Sequence, residues 1–106
     1  MKAAHLCIVV RLDLPLGYRV AQAVHGADAF RDAHPEEYRR WHEESNTVAV
    51  LGAVDEDHLV ELFARAPFFG VPAATFEEPD LAGSTTVLVL GPHPATHKLT
   101  GPLPLL

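Results

Sequence analysis

The side chains best suited to chemistry lie along one face of a predicted helix near the N-terminus. Tyr18, Gln22, His25 and Ala29 stand at i, i+4, i+7 and i+11, so they share one side of an α-helix. Histidine can give or take a proton near neutral pH, and a glutamine amide both donates and accepts hydrogen bonds. This face could line a site near the strand ends, where α/β proteins bind ligands, or it could serve packing and capping.

Charged and hydroxyl side chains mark the ends of two predicted strands and one loop. Arg11 and Asp13 end the first strand, Asp80 lies on a proline-flanked loop, and Thr86 opens the last strand. A carboxylate or hydroxyl placed in this way can orient a water molecule or a substrate. Each residue also has a structural interpretation: a salt bridge for Arg11 and Asp13, a loop cap for Asp80, and a β-branched strand residue for Thr86.

The histidines and the cysteine suggest no metal site. The sequence has neither an H-E-x-x-H motif nor paired cysteine and histidine spacings, and Pro94 argues against a shared helical face for His93 and His97. Cys7 is the single cysteine and lies within an apolar run, so we expect a buried small hydrophobe and no intrachain disulfide. We therefore expect no metal and no other cofactor.

Strands and helices alternate along the chain, which predicts a mixed sheet covered by helices. The expected strands are residues 6–12, 47–51, 73–76 and 85–90, and the expected helices are residues 18–32, 36–42 and 56–66. The proline-rich tail after Gly91 is expected to be extended or looped.

Apolar spacing predicts which side of each helix faces the core. In the first helix the predicted core stripe is Val20, Val24, Ala27 and Phe30 or Arg31, which places the Gln22 side away from the core. In the third helix the predicted apolar side consists of Leu59, Val60, Leu62 and Phe63.

Size and charge limit what the chain can be. Residues 1–106 fit a single domain. The apolar run at residues 6–10 is too short for a signal peptide or a membrane span, so we expect a cytoplasmic protein without membrane contact. The net charge is −6, so the overall field does not attract nucleic acid, and any RNA contact would need a local basic patch.

Three segments, in order, resemble the peptidyl-tRNA hydrolase 2 family. The first is I-V-V-R-L-D-L at residues 8–14, then Gly17 and A-Q-A-V-H at residues 21–25, similar to the family's V-V-R-x-D-L strand end and A-A-Q-x-x-H helix. The second is T-V-L-V-L-G-P at residues 86–92, similar to T-V-L-x-x-G-P. The third is K-L-T-G-P-L at residues 98–103, similar to K-x-T-G-x-L.

The resemblance implies a three-layer α/β/α sandwich with a four-stranded mixed sheet, often dimeric, here a homodimer. It also implies hydrolysis, without a metal, of the ester that joins a peptide to the 3′ end of tRNA, or of a related aminoacyl-tRNA ester. The catalytic residues that it implies are Gln22, His25, Asp80 and Thr86. The implied substrate-binding residues are Arg11, Asp13, Tyr18 and Arg19, with Arg11 or Arg19 steering phosphate.

Two departures from the family pattern leave a second interpretation open. Tyr18 stands where the family has a lysine, and the stretch from Phe76 to Gly83 is shorter than the family's D-A-G-x-T segment. Asp80 is the closest match for that segment's aspartate, with Glu77 and Glu78 as rivals. The alternative to an enzyme is therefore a family-derived domain that has lost hydrolysis and binds a protein or a small ligand.

Overall fold

A computed structural model describes residues 5–106 as a four-stranded mixed sheet with helices on both faces. The strands are β1 (His5–Arg11), β2 (Thr47–Ala53), β3 (Ala73–Glu78) and β4 (Ser84–Leu90), and the helices are α1 (Leu16–Ala33), α2 (Pro35–Glu44), α3 (Glu56–Arg65) and α4 (His97–Thr100). Two short 3₁₀ helices, Ala66–Phe69 and Pro79–Leu81, precede and follow β3. The α/β class and the mixed sheet are confirmed.

Strand β1 lies inside the sheet because nearly all of its side chains can be buried. The strand order is β2-β1-β4-β3, with β1 parallel to β2 and β4 antiparallel to both β1 and β3. Cys7 and Val9 point into one core, and Leu6, Ile8 and Val10 point into the other. A continuous apolar run suits such a strand, since both of its faces are covered. Cys7 is buried and unpaired, as expected, and burial raises the pKa of its thiol.

Helices α1 and α2 cover one face of the sheet, but α1 turns a different side inward from the predicted one. Its buried residues are Gln22, Gly26 and Phe30, whereas Val20 and Val24 are 59% and 66% exposed. The predicted core stripe was therefore wrong for both valines. The reason is steric: an ideal Cβ on Gly26 would lie 2.6 Å from Val87 Cγ2, so α1 touches the sheet where it has no side chain.

Helix α3, the first 3₁₀ helix and the C-terminal segment cover the opposite face. The Asp55 carboxylate caps α3 by accepting a hydrogen bond from the His58 N–H at 3.0 Å. Leu59 and Leu62 enter the core as predicted, whereas Val60 and Phe63 are exposed and correct that prediction. Among the described residues, none of the helices is both long and apolar enough to cross a membrane.

The C-terminal tail is more ordered than an extended or looped segment. It forms the short helix α4, buries Leu99 and Leu103 in the α3-side core, and then pairs with β2. Leu105 forms an antiparallel bridge with Leu51, and the Leu106 N–H donates to the Val50 carbonyl at 2.9 Å. The tail thus covers part of the outer edge of β2.

Candidate active site

The candidate functional side chains gather at one end of the sheet, beside the N-terminal half of α1. Strands β1 and β3 end there with Arg11 and Glu78, and the antiparallel β4 begins there with Ser84. This topology brings residues that are distant in the sequence to one edge. It is the strand-end location that the sequence suggested for a site.

Gln22 is the centre of a buried hydrogen-bonded network. It is 1% exposed; its amide nitrogen donates to Glu78 Oε1 at 2.7 Å, and its amide oxygen accepts from Thr86 Oγ1 at 2.6 Å. Buried polar groups are costly unless they find partners, so these contacts fix the amide in one orientation. We name these three residues, Gln22, Glu78 and Thr86, the buried triad.

A β-bulge turns the Thr86 hydroxyl toward Gln22. Phe76 pairs with Val87 and Glu77 pairs with Thr85, so Thr86 is the extra residue in β4. Strict alternation would turn Thr86 and Val87 to opposite faces of the sheet. With the bulge, Val87 packs on the α1 side and the Thr86 hydroxyl also reaches Gln22 on α1.

Glu78 contributes an ionised carboxylate to the site. It is 9% exposed, and its second oxygen accepts from the Asp80 backbone N–H at 3.1 Å. The hydrogen bond from Gln22, aided by the one from the Asp80 N–H and by the charge of nearby His25, lowers the pKa of Glu78 even though burial opposes the shift.

Of the three acidic residues that the sequence compared, Asp80, Glu77 and Glu78, the structure places the Glu78 carboxylate beside Gln22. The Asp80 side chain is exposed, and the residue contributes its backbone N–H rather than its carboxylate. The other rival, Glu77, is exposed and accepts a hydrogen bond from the Thr75 hydroxyl at 2.7 Å. Alternation along β3 explains this difference, because Glu77 and Glu78 point to opposite faces.

His25 lies at the surface next to the buried triad. Its imidazole stacks on the Phe76 ring with a centroid separation of 4.7 Å and an interplanar angle of 21°. The same two rings, with Asp28, Ala29, Arg31 and Asp32, line an open depression of about 220 Å³. His25 therefore combines a fixed ring with access to solvent, which a proton-transfer group requires.

Arg11 and Asp13 form an ion pair that joins the strand ends. The guanidinium donates two hydrogen bonds to the Asp13 carboxylate at 2.9 and 2.8 Å and a third to the Thr85 carbonyl at 3.2 Å. The hydrogen bond from Arg11 lowers the pKa of Asp13. The pair connects the end of β1 to the start of β4, so its visible role is to hold the site's framework.

Arg19 and Tyr18 stand in the first turns of α1 and differ in their contacts. Arg19 donates to the carbonyl oxygens of Leu14 and Leu12 at 2.7 and 2.8 Å, which fixes the loop between β1 and α1. Tyr18 is 45% exposed. The four predicted substrate-binding residues thus lie near the site, but three of them already bind other parts of the chain.

The arrangement offers an accessible imidazole, an ionised carboxylate and a fixed amide and hydroxyl within one small region. Such a set can position a water molecule and take its proton. Within residues 5–106, no three histidine, cysteine, aspartate or glutamate side chains come together in a way that could hold a metal ion. The site and the fold define an α/β/α domain with a polar centre at the strand ends.

Comparison with known proteins identifies the family. Residues 4–106 match the family model described as "Peptidyl-tRNA hydrolase PTH2", so the chain belongs to the peptidyl-tRNA hydrolase 2 family. A peptidyl-tRNA hydrolase of Thermococcus onnurineus is 33% identical over 111 aligned positions, covering 93% of this chain and 94% of the relative. The human mitochondrial peptidyl-tRNA hydrolase 2 is 33% identical, covering 94% of this chain and 63% of the relative.

A solved structure shares the fold at low sequence identity. A protein of unknown function from Agrobacterium tumefaciens superposes with a TM-score of 0.71 and 12% identity, covering 100% of this chain and 99% of the other. At that identity the likeness concerns the fold alone.

Proposed function

We propose that this protein hydrolyses the ester bond of peptidyl-tRNA, or of a related aminoacyl-tRNA ester, and releases free tRNA. The observation that carries the proposal is the buried triad beside His25, in a chain of the peptidyl-tRNA hydrolase 2 family. The alternative, a binding domain without hydrolysis, gains no support from this site, because Gln22, His25 and Thr86 are assembled in one place.

In the proposed reaction, water adds to the ester carbonyl carbon and the bond to the ribose oxygen breaks. His25 takes a proton from the attacking water and returns it to the leaving ribose oxygen. The Glu78 carboxylate stabilises the imidazolium formed in between, since the two groups interact electrostatically. Gln22 and Thr86 hold Glu78 in place, and Asp80 does so through its backbone N–H.

The proposed contact with tRNA does not depend on Arg11 and Arg19 as free cations. Both guanidinium groups already bind oxygen atoms of this chain, which supports a positioning role more than phosphate steering. Arg31 is exposed in the depression that His25 lines, so it is the better candidate for a phosphate contact. Asp28 and Asp32 beside it keep that contact weak.

We also propose that the protein acts in the cytoplasm as a homodimer. Its proposed substrate is found in that compartment, and α1 carries an apolar stripe suited to a second copy. Leu16, Val20 and Val24 stand at i, i+4 and i+8 and are all exposed. Exposed apolar patches mark interaction sites, and a two-fold dimer would bring the same stripe of both copies together.

The direct test is release of N-acetyl-aminoacyl groups from tRNA by the purified protein. We expect turnover by the wild-type protein and a loss of at least about a hundredfold in kcat for His25→Ala, because general-base catalysis contributes on this scale. The melting temperature should stay unchanged, since His25 is exposed. If folded wild-type protein shows no turnover, the hydrolase proposal is wrong. Equal losses of activity and stability would assign His25 to packing.

A further inference from the structure

The site must hold the 3′ end of a tRNA with little help from positive charge. Arg11 is paired with Asp13, and Arg19 is bonded to two loop carbonyls. The ionised Glu78 faces the same region, and the whole chain carries a net charge of −6. Attraction of backbone phosphates is therefore a weak source of binding energy here.

Single-stranded nucleic acid ends can instead be held by stacking a base on an aromatic side chain. Stacking tolerates an acidic surrounding, because it uses the face of the base rather than the phosphate charge. One face of the His25 ring already stacks on Phe76, so only its other face is open to a base.

Tyr18 presents such a surface in a suitable place. Nearly half of its side chain is exposed, and no ring contact or hydrogen bond of its hydroxyl occurs within residues 5–106. It lies two helical turns before His25 on nearly the same line of α1, about 10 Å along the helix axis. A single nucleoside can span that distance, with its base on Tyr18 and its ester-bearing ribose toward His25.

We propose that Tyr18 is the specificity-determining residue that stacks on the terminal adenine of the tRNA acceptor end and thereby binds this end of the tRNA beside His25. The inference rests on the proposed function, because it assigns a substrate contact to the same site. The phenyl ring carries the contact, and the hydroxyl contributes little. Tyr18 therefore acts in substrate binding and not in proton transfer.

The test compares Tyr18→Leu with Tyr18→Phe on N-acetylphenylalanyl-tRNA. Tyr18→Leu removes the ring, so we expect its KM to rise about tenfold or more, with kcat within about twofold of wild type. Tyr18→Phe keeps the ring and should behave like wild type. Phe68→Leu is the matched control. It removes an aromatic ring that is 87% exposed and lies on the opposite side of the sheet from Tyr18.

Several results would overturn the inference. They are an unchanged KM for Tyr18→Leu, a loss confined to kcat, and an equal loss for Tyr18→Phe, which would assign the effect to the hydroxyl. If the wild-type protein turns over its substrate while Tyr18→Leu matches it, only this inference fails. If the folded wild-type protein has no turnover, the proposed function fails and this inference with it.

A binding measurement tests the same contact without turnover. The probes are the trinucleotide cytidyl-cytidyl-adenosine and the same trinucleotide with its terminal base removed, and the readout is the shift of the Tyr18 ring signals in NMR spectra. Stacking predicts ring-current shifts with the complete trinucleotide and none with the abasic one. Identical shifts with both probes, or no shift with either, would overturn the inference.

Discussion

The hydroxyl group of Thr86 decides whether the Gln22 amide oxygen has a hydrogen-bond partner. Gln22 is buried, and Thr86 Oγ1 is the donor to its amide oxygen at 2.6 Å. Valine has nearly the same shape as threonine but no donor. A buried carbonyl left without a partner costs about 1–3 kcal/mol.

We therefore expect Thr86→Val to lower the free energy of unfolding by about 1–3 kcal/mol and to lower kcat, since Glu78 loses its fixed partner. Urea unfolding and single-turnover kinetics measure the two effects. The matched control is Thr85→Val, the same change one position earlier, because the Thr85 side chain makes no hydrogen bond to the buried triad. Full activity in Thr86→Val would show that the hydroxyl has no role in the site.

The lowered pKa of Glu78 has a defined consequence for acid stability. Hydrogen bonds favour the charged form in the folded protein, so the folded pKa lies below the ordinary value of 4.5. Such a group stabilises the folded protein at pH values above its pKa in the unfolded chain. This contribution is lost as the pH falls through its pKa in the folded protein.

Glu78→Gln should consequently flatten the decline of the melting temperature below pH 4.5, because the titrating group is gone. A pH series of thermal unfolding curves tests this, with Glu77→Gln as the control on the opposite side of the same strand. A wild-type decline that persists unchanged in Glu78→Gln would assign the acid sensitivity to other carboxylates.

At the scale of the element, Gly26 sets how closely α1 approaches the sheet. A Cβ there would lie 2.6 and 3.0 Å from the two methyl groups of Val87 and 3.0 Å from Val89 Cγ2. Both valines lie in the middle of the α1-side core, so neither can move away without disturbing the sheet.

We expect Gly26→Ala to destabilise the protein by about 1–3 kcal/mol through overpacking, which outweighs a gain of about 1 kcal/mol in helix propensity. It should also lower activity, because Gln22 lies one turn away and would be lifted from Glu78. Gly17→Ala, where an added Cβ meets nothing within 4 Å, is the control and should be neutral or stabilising. A Gly26→Ala protein as stable and active as wild type would contradict this account.

Local patterns predict the elements well and the site only in part. The runs of apolar and β-branched residues are enough to predict all four strands, since burial on both faces leaves few alternatives. They fail for the inward side of α1, because the close approach at Gly26 and the partners of Gln22 depend on residues more than fifty positions away. Local patterns also fail to predict the direction of the Thr86 side chain. That direction depends on a β-bulge, which strict alternation along a strand does not predict.

The resemblance to a family selects more residues of the candidate site than periodicity does. It selects Gln22, His25 and Thr86, which the structure places together. It ranks Asp80 ahead of Glu78, because the shortened loop shifts the alignment of the acidic residues. Only the direction in which each side chain leaves β3 and the following turn distinguishes them, and that is a property of the three-dimensional structure.

At the scale of the whole molecule, exposed apolar side chains occur on both helical layers. The α1 stripe and the Val60 and Phe63 side chains of α3 lie on opposite faces of the sheet. If α1 forms the dimer, a charge on α1 should separate the subunits and an equal charge on α3 should not.

If the protein forms the proposed homodimer through α1, we expect Val24→Glu to convert it to a monomer, because a carboxylate buried against a second apolar stripe would be left without a partner. Val60→Glu is the matched control, since it puts the same charge on an exposed valine of α3. Sedimentation equilibrium measures the outcome. A wild-type monomer would refute the homodimer, and a monomer produced only by Val60→Glu would move the interface to α3.

The tail that pairs with β2 also blocks strand pairing between molecules at this edge of the sheet. Sheets grow through unpaired edge strands, and here the Gly52 N–H and the Val50 carbonyl are bonded to Pro104 and Leu106. Shortening the chain by a few residues would uncover this part of the edge beside the exposed Val48. The tail therefore acts as a barrier to edge-to-edge aggregation, and a reporter or purification tag fused after Leu106 should be joined through a flexible linker that leaves this pairing undisturbed.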